Sequence, residues 1–285
     1  MEIKATQVKE LRDMTGVAMM ECKKALVESN GDIEKAVDLL RSKSALKAEK
    51  KSSRVAADGV LVLSMGDGYA SMVELNSETD FASKDSNFLA FGERVKSYIS
   101  ENKITEPLAF LDSEIEEERK SLVQTIGENI QLRRVETIDF NNDMQIGSYL
   151  HSDSKLGAIV SINGGNENVA KDIAMHVAAF NPLCLSRDDI SIDLLEREKA
   201  IFENQAKDSG KPKEIMEKMI EGKINRFLSE VSLLSQSFVK DSEITIEEYL
   251  VSNGASIVAF ARLKVGEGIE VQTKDFAEEV AEQLK

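Results

Sequence analysis

Apolar positions in the first forty residues recur at three- and four-residue spacing, the pattern of amphipathic helices. In "TQVKELRDMTG" Val8, Leu11 and Met14 share a face that stops at Gly16. "AMMECKKALVESNG" carries Met19, Cys22 and Leu26 on one stripe and ends at Asn30-Gly31, a common helix stop. Asp32 is placed to cap a third helix with Ile33, Val37 and Leu40 turned inward. Adjacent helical residues point about 100° apart, so of Met19 and Met20 one packs and the other is partly exposed. The stretch that follows, "SKSALKAEKKSSR", is basic and polar and reads as a frayed, solvated helix serving as a linker. A bundle of this size sits near the limit of independent stability.

From residue 55 the period drops to two. "ADGVLVLSMGDGYASMVELN" predicts a β-hairpin about Gly66-Asp67-Gly68. Helical spacing returns through Phe88, Phe91, Val95 and Tyr98, and "SEIEEERKSLVQTIGENIQLRRVETID" predicts a helix broken near Gly127 that leads into a strand. A second hairpin, "IGSYLHSDSKLGAIVSING", precedes the helix "ENVAKDIAMHVAAF", so a hairpin-plus-helix order occurs twice, as an ancient duplication would leave it. Residues 187–238 predict an antiparallel helical hairpin turned at "DSGKP", with Leu194, Leu195 and Ile201 on one arm and Ile215, Met219, Ile220, Phe227 and Val231 on the other. "SIVAFARLKV" then predicts a strand, and "KDFAEEVAEQLK" a final amphipathic helix exposing Phe276 and Val280.

A chain of 285 residues predicts roughly two domains. No run is apolar enough to span a membrane, and "MEIKATQVKELRD" lacks the apolar stretch of a signal peptide, so a cytoplasmic location is expected. Charge is uneven: residues 1–54 hold 12 Lys and Arg against 9 Asp and Glu, and the remainder 24 against 42, for a net of −15. So acidic a chain is a poor general binder of nucleic acid, whose affinity comes mostly from neutralised phosphates. With no Trp and few aromatics, base-stacking surfaces are not expected either. A protein partner fits better. Cys22 and Cys184 stand in no CxxC spacing and read as reduced, half-buried small hydrophobes.

Catalytic constellations are missing from the pattern. His151 ends the strand "GSYLH" and His176 lies mid-helix among apolar neighbours, places where a histidine packs or hydrogen-bonds. No GxxxxGK[ST], GxSxG, HExxH or calcium loop occurs, so neither an enzyme nor a resident metal or cofactor is expected. One turn stands out, "ETDFASK". Glu78 and Asp80 are two apart and on a strand would share a face, where paired carboxylates hold a hard cation or do acid–base work. The simpler reading makes Ser77, Thr79 or Asp80 the cap of a helix beginning after Phe81. Neither role uses Phe81, which either tucks back as a hydrophobic staple or stands out as an interface anchor.

These residues carry a resemblance. "LRDMTGVAMMECKKAL" with "SNGDIEKAVDLLR", and "ELNSETDFASK", resemble the two signatures of bacterial elongation factor Ts. "IGENIQLRR", "AMHVAAFNP", "GKPKEIMEKMIEGKINRF", "LSQSFVKD" and "VGEGIE" resemble further blocks of that family in the family's order, so the likeness spans nearly the whole chain. It implies a guanine-nucleotide exchange factor for elongation factor Tu, without bound nucleotide or cofactor of its own. It also implies an α+β fold: a three-helix domain similar to ubiquitin-associated domains with its linker (1–54), core halves at 55–142 and at 143–186 with 239–265, an inserted helical hairpin (187–238) offering a homodimer contact, and a C-terminal module (266–285). In the family a Thr-Asp-Phe-Val turn enters the GTPase and dislodges its magnesium ion; the matching positions are Thr79, Asp80, Phe81 and Ala82. Further partner contacts carry over to Arg12, Met19, Met20 and Lys23, to His151 in a "Y-x-H" position, and to the C-terminal helix with Phe276. Ala82 departs from the family valine and lacks two methyl carbons, worth roughly 1–2 kcal/mol if fully packed, enough to tune the activity but not to abolish it. Two rival readings make other predictions. A metal-dependent enzyme built on Glu78 and Asp80 would bind a divalent cation, and an adaptor working through the helical bundle alone would tolerate loss of 55–285.

Overall fold

Helix α1 (Ala5–Thr15) stops where Gly16 donates its N–H to the Arg12 carbonyl, and α2 (Met19–Glu28) follows after a short turn. Asp32 caps α3 (Ile33–Lys51), its side chain accepting the Lys35 N–H. Leu11, Val17, Cys22, Leu26, Ala36 and Leu40 form the core of the three-helix bundle. Because Val17 and Cys22 take the inward positions, Met14, Met19 and Met20 are all exposed, where the sequence pattern placed Met14 and one of the pair inside.

The stretch read as a frayed linker is the second half of α3, a continuous helix of 19 residues in the computed structural model. Its polar composition hides a buried stripe spaced by four, in which Leu40 is followed by the small Ser44 and Ala48. Small side chains there let α3 lie against α6 (Glu114–Ile126), with Ser44 bonded to Gln124 and Lys51 to the Gly127 carbonyl. The structure describes residues 3–207 and 212–270; the expected C-terminal helix with Phe276 and Val280, and most of the "DSGKP" turn, lie outside them.

Two antiparallel sheets meet face to face behind the bundle. The first, ordered β1-β2-β3, comprises β1 (Asp58–Gly66), β2 (Tyr69–Ser77) and β3 (Gln131–Asp139), with Asp67-Gly68 turning the first hairpin. After β2 come α4 (Asp80–Ser83) and α5 (Ser86–Glu101). The second sheet, ordered β4-β5-β8, comprises β4 (Met144–Leu150), β5 (Leu156–Gly164) and β8 (Ala255–Lys264), with α7 (Glu167–Phe180) following β5. Alternation decides which neighbour each residue meets. Val73 and Leu75 of β2 pack on Phe88, Phe91 and Val95 of α5. Ala70 and Met72 face the second sheet and meet Ile159, Ala261 and Leu263. Val160 and Ile162 point the other way, onto Val169, Ile173 and Val177 of α7. Helices on the outer faces of packed antiparallel sheets make this an α+β protein.

The helical hairpin also takes the expected form. Helices α8 (Ile192–Lys207) and α9 (Lys213–Val231) run antiparallel, Phe202 and Phe227 meeting edge to face at 6.4 Å. No residue of α9 is buried. The chain then returns to α7 through β6 (Ser237–Phe238), β7 (Asp241–Thr245) and α10 (Ile246–Ser252), which Thr245 and Glu248 cap reciprocally. His176 is the packed histidine its surroundings predicted. Its Nδ1 accepts the Val239 N–H at 3.2 Å, so the ring proton sits on Nε2 and is donated to Gln236 Oε1 at 2.9 Å. Cys22 and Cys184 are both buried free thiols. Among the described residues no helix is long and apolar enough to cross a membrane.

Candidate functional site

Strand β2 ends at Ser77, and every polar group of "ETDFASK" is then used to fix the turn. Thr79 is the helix cap, with extended backbone (φ −128°, ψ 159°) and its hydroxyl oxygen accepting the Ala82 N–H at 3.2 Å. The same hydroxyl donates to Glu128 Oε1 at 2.7 Å, and the Thr79 N–H donates to Glu128 Oε2 at 3.0 Å. Ser77 donates to the Thr79 carbonyl at 2.9 Å. Glu78 accepts the Asn129 N–H at 2.6 Å and pairs with Arg54 at 3.5 Å. Asp80 pairs with Lys84 at 2.7 Å, and that hydrogen bond draws its carboxyl below the usual range.

The two acids that could have formed a cation site thus part company: the helix begins at Asp80, and each carboxylate has its own cationic partner. Among the described residues no cluster of three or more His, Cys, Asp or Glu side chains is arranged to hold a metal.

With the backbone held on both sides, the helical turn sorts its side chains. Ala82 and Ser83 face inward at 4% and 3% exposure, which leaves Phe81 facing out at 82%. The ring does not tuck back. An apolar side chain of this size offers about 2–3 kcal/mol to any surface that buries it, and the capped turn leaves little backbone freedom to lose on binding. Ala82 is covered by its own chain, on the opposite side of the turn from the ring.

His151 opens the loop between β4 and β5, its ring half exposed and Nδ1 2.9 Å from Asp153 Oδ1. Asp153 is held below the usual carboxylate range, first by the Lys155 N–H and then by His151. Arg12, Met19, Met20 and Lys23 are exposed on α1 and α2. Among the described residues no hydrogen bond links them to the turn, whereas a hydrogen-bonded chain through Asp58 and Lys155 joins the turn to the His151 loop. Phe276 lies outside the described residues.

Sequence reasoning missed the residues that hold the turn from outside it: Glu128, Asn129 and Asp58. The available signal is "IGENIQLRR", which carries the first two directly after the helix break at Gly127.

The family model described as elongation factor TS matches residues 78–267, beginning at the turn itself. The chain is 50% identical to elongation factor Ts of Hahella chejuensis over 285 residues, covering 99% of both proteins. It is 51% identical to that of Francisella tularensis subsp. novicida over 289 residues, again covering 99% of both. Elongation factor Ts of Psychrobacter arcticus is 48% identical over 98% of this chain and 96% of its own length. Half of all positions are shared over the full length, and the family match takes in the turn from Glu78 together with Glu128 and Asn129: the chain belongs to the elongation factor Ts family of translation elongation factors.

Proposed function

We propose that this protein is the guanine-nucleotide exchange factor of elongation factor Tu: it binds the GDP form, displaces the magnesium ion beside the nucleotide, and so promotes replacement of GDP by GTP. One observation carries the reading, the exposed Phe81 ring on a turn whose backbone is bonded to Glu128 and capped by Thr79.

Such a factor makes and breaks no covalent bond. It binds the nucleotide-free GTPase more tightly than the loaded one, and reciprocity then requires that it weaken nucleotide affinity by the same factor. Magnesium neutralises phosphate charge and is a large part of what holds the nucleotide. A stiff aromatic pushed between packed elements shifts them as a unit, because packed interiors switch between discrete arrangements and do not deform softly. Phe81 is the wedge; Thr79 and Asp80 order the turn, and Ala82 supports it from beneath. His151, the exposed Arg12, Met19, Met20 and Lys23, and the C-terminal helix with Phe276 hold the wedge in register on the partner. The core halves at 55–142 and at 143–186 with 239–265 act as the platform, the bundle at 1–54 as a second contact, and the hairpin at 187–238 as a place for a second copy. The chain binds no nucleotide, nucleic acid, metal or membrane itself and works in the cytoplasm.

The test loads elongation factor Tu with fluorescent GDP and follows release by stopped flow on adding the full chain. Wild type accelerates release, and Phe81→Ala loses about thirtyfold of that acceleration if the ring supplies about 2 kcal/mol. No acceleration by wild type, or full acceleration by the variant, overturns the reading.

A further inference from the structure

The Phe81 turn and the His151 loop belong to different sheets, and one carboxylate joins them. Asp58, the first residue of β1, accepts the Ser83 hydroxyl at 3.2 Å and its neighbour Gly59's N–H at 2.7 Å through Oδ1. Through Oδ2 it receives Lys155 Nζ at 2.7 Å. Ser83 lies two residues after Phe81 on the inner side of the turn. Lys155 closes the loop that His151 opens, and its backbone N–H and His151 Nδ1 share Asp153 Oδ1, both at 2.9 Å. A parallel backbone bond, Leu61 N–H to the Ser154 carbonyl at 2.7 Å, ties the same loop to β1.

Asp58 itself has little room to move. Its side chain is 24% exposed. Gly59 beside it adopts φ 142°, where a Cβ would overlap the Leu75 carbonyl, so β1 sits hard against β2 at this point. The ion pair is partly shielded and hydrogen-bonded at both oxygens, the setting in which a pair holds geometry and does more than decorate a surface.

We propose that Asp58 is a positioning residue for exchange: with Lys155 and Ser83 it forms a strut that holds the Phe81 turn and the His151 loop at one fixed spacing, so that both meet the same partner together. The inference rests on the exchange activity proposed above and adds a residue to it. Helix α4 is a single turn of four residues, too short to be stiff by itself. A wedge transmits force only if its base does not yield, and a second contact gains from the first only if their separation is preset.

Two measurements on the full-length protein separate the strut from the reading beneath it. Amide hydrogen exchange without any partner reports the turn directly: Asp58→Ala and Lys155→Met raise exchange at residues 79–85 about tenfold, and unchanged exchange in both variants overturns the strut. Lys155→Met removes the ion pair but keeps Asp58's hydrogen bonds to Ser83 and Gly59, and so guards against a variant that merely misfolds. In the GDP-release assay Asp58→Ala lowers the rate at saturating protein about tenfold, and Asp58→Asn, which keeps an acceptor for Ser83 but loses the charge, about threefold. Combined with Phe81→Ala, Asp58→Ala adds less than twofold, because it acts through the ring. A loss that multiplies in full with that of Phe81→Ala marks a general structural role and sinks the proposal. Tenfold faster amide exchange in the turn, with no acceleration of GDP release by wild type, would instead refute the exchange activity while leaving the strut in place as architecture.

Discussion

The carboxylate of Glu74, fully buried at the seam between the two sheets, accepts the backbone N–H of Gly266 at 2.8 Å. Arg133 and Arg134 of β3 reach the same carboxylate, as does the Asn76 amide at 3.0 Å. Both arginines also donate to the chain leaving β8, at the Glu267 and Lys264 carbonyls. Three segments far apart in the sequence, "ELNSETDFASK", "IGENIQLRR" and "VGEGIE", therefore converge on one buried charge. It clamps the exit of β8 to the first sheet.

Glu74 gives the first prediction. Burial pushes its pKa up, but the Gly266 N–H, Arg134 and Asn76 outweigh burial and leave it below its ordinary 4.5. A depressed folded-state carboxylate stabilises the fold fully above its unfolded value and less as pH falls through the folded one. Stability should therefore decline as pH drops below 4.5, and Glu74→Gln should flatten that decline. At pH 7 the variant leaves two arginines without their buried carboxylate and costs about 3 kcal/mol. Urea denaturation from pH 3 to 7 reads both, and unchanged stability at pH 7 would refute the clamp.

Gly147 supplies a second. At the centre of β4 it lies where a Cβ would overlap the backbone of Ala170 and Lys171 on α7, so the strand and helix touch main chain to main chain. Gly147→Ala must push α7 off the sheet, and overpacking of this kind costs about 1–3 kcal/mol. The urea midpoint should fall accordingly; a midpoint within error of wild type would show that the helix is free to shift.

His176 makes the base of the helical hairpin pH-sensitive. Burial holds its pKa below 6.5, and the Gln236 hydrogen bond opposes burial only in part. The unfolded chain takes up a proton as pH falls through 6.5 while the folded ring resists, so the term is absent above that pH and destabilising below it. Melting temperature should drop between pH 7 and 5 more in wild type than in His176→Gln. Parallel profiles would exclude the histidine as the source.

Ala82→Val introduces, on the buried side of the turn, the valine that the resemblance to the family leads one to expect. Two added methyl groups at a 4% exposed site should lower stability by about 1 kcal/mol, while GDP release changes less than twofold because Phe81 stays exposed. A large gain in exchange rate would place this side chain on the partner after all.

Local pattern carried much of this protein. Helices α1, α2, α5, α6 and α7, both hairpins and the antiparallel arms of α8 and α9 all follow from spacings of 2 and 3.6, which depend only on a residue's near neighbours. The helix cap was legible only as a choice among Ser77, Thr79 and Asp80 for a helix after Phe81; the structure selects Thr79 and starts α4 one residue before the ring, at Asp80. The polar second half of α3 misled because its buried stripe is made of small residues, whose fit depends on α6 about eighty positions on. Phe81 was ambiguous by itself: whether a ring tucks in or stands out is settled by what already fills the space beneath it, here Ala82, Ser83 and the Glu128 brace. Asp58 and Glu74 were invisible for the same reason, since a carboxylate's partners come from strands and loops far along the chain. By itself, then, the sequence determined which segments are helix, strand and turn, because those are short-range properties. Only the tertiary structure decided which side chains were left over for a partner, because exposure is what remains once every long-range contact has been made.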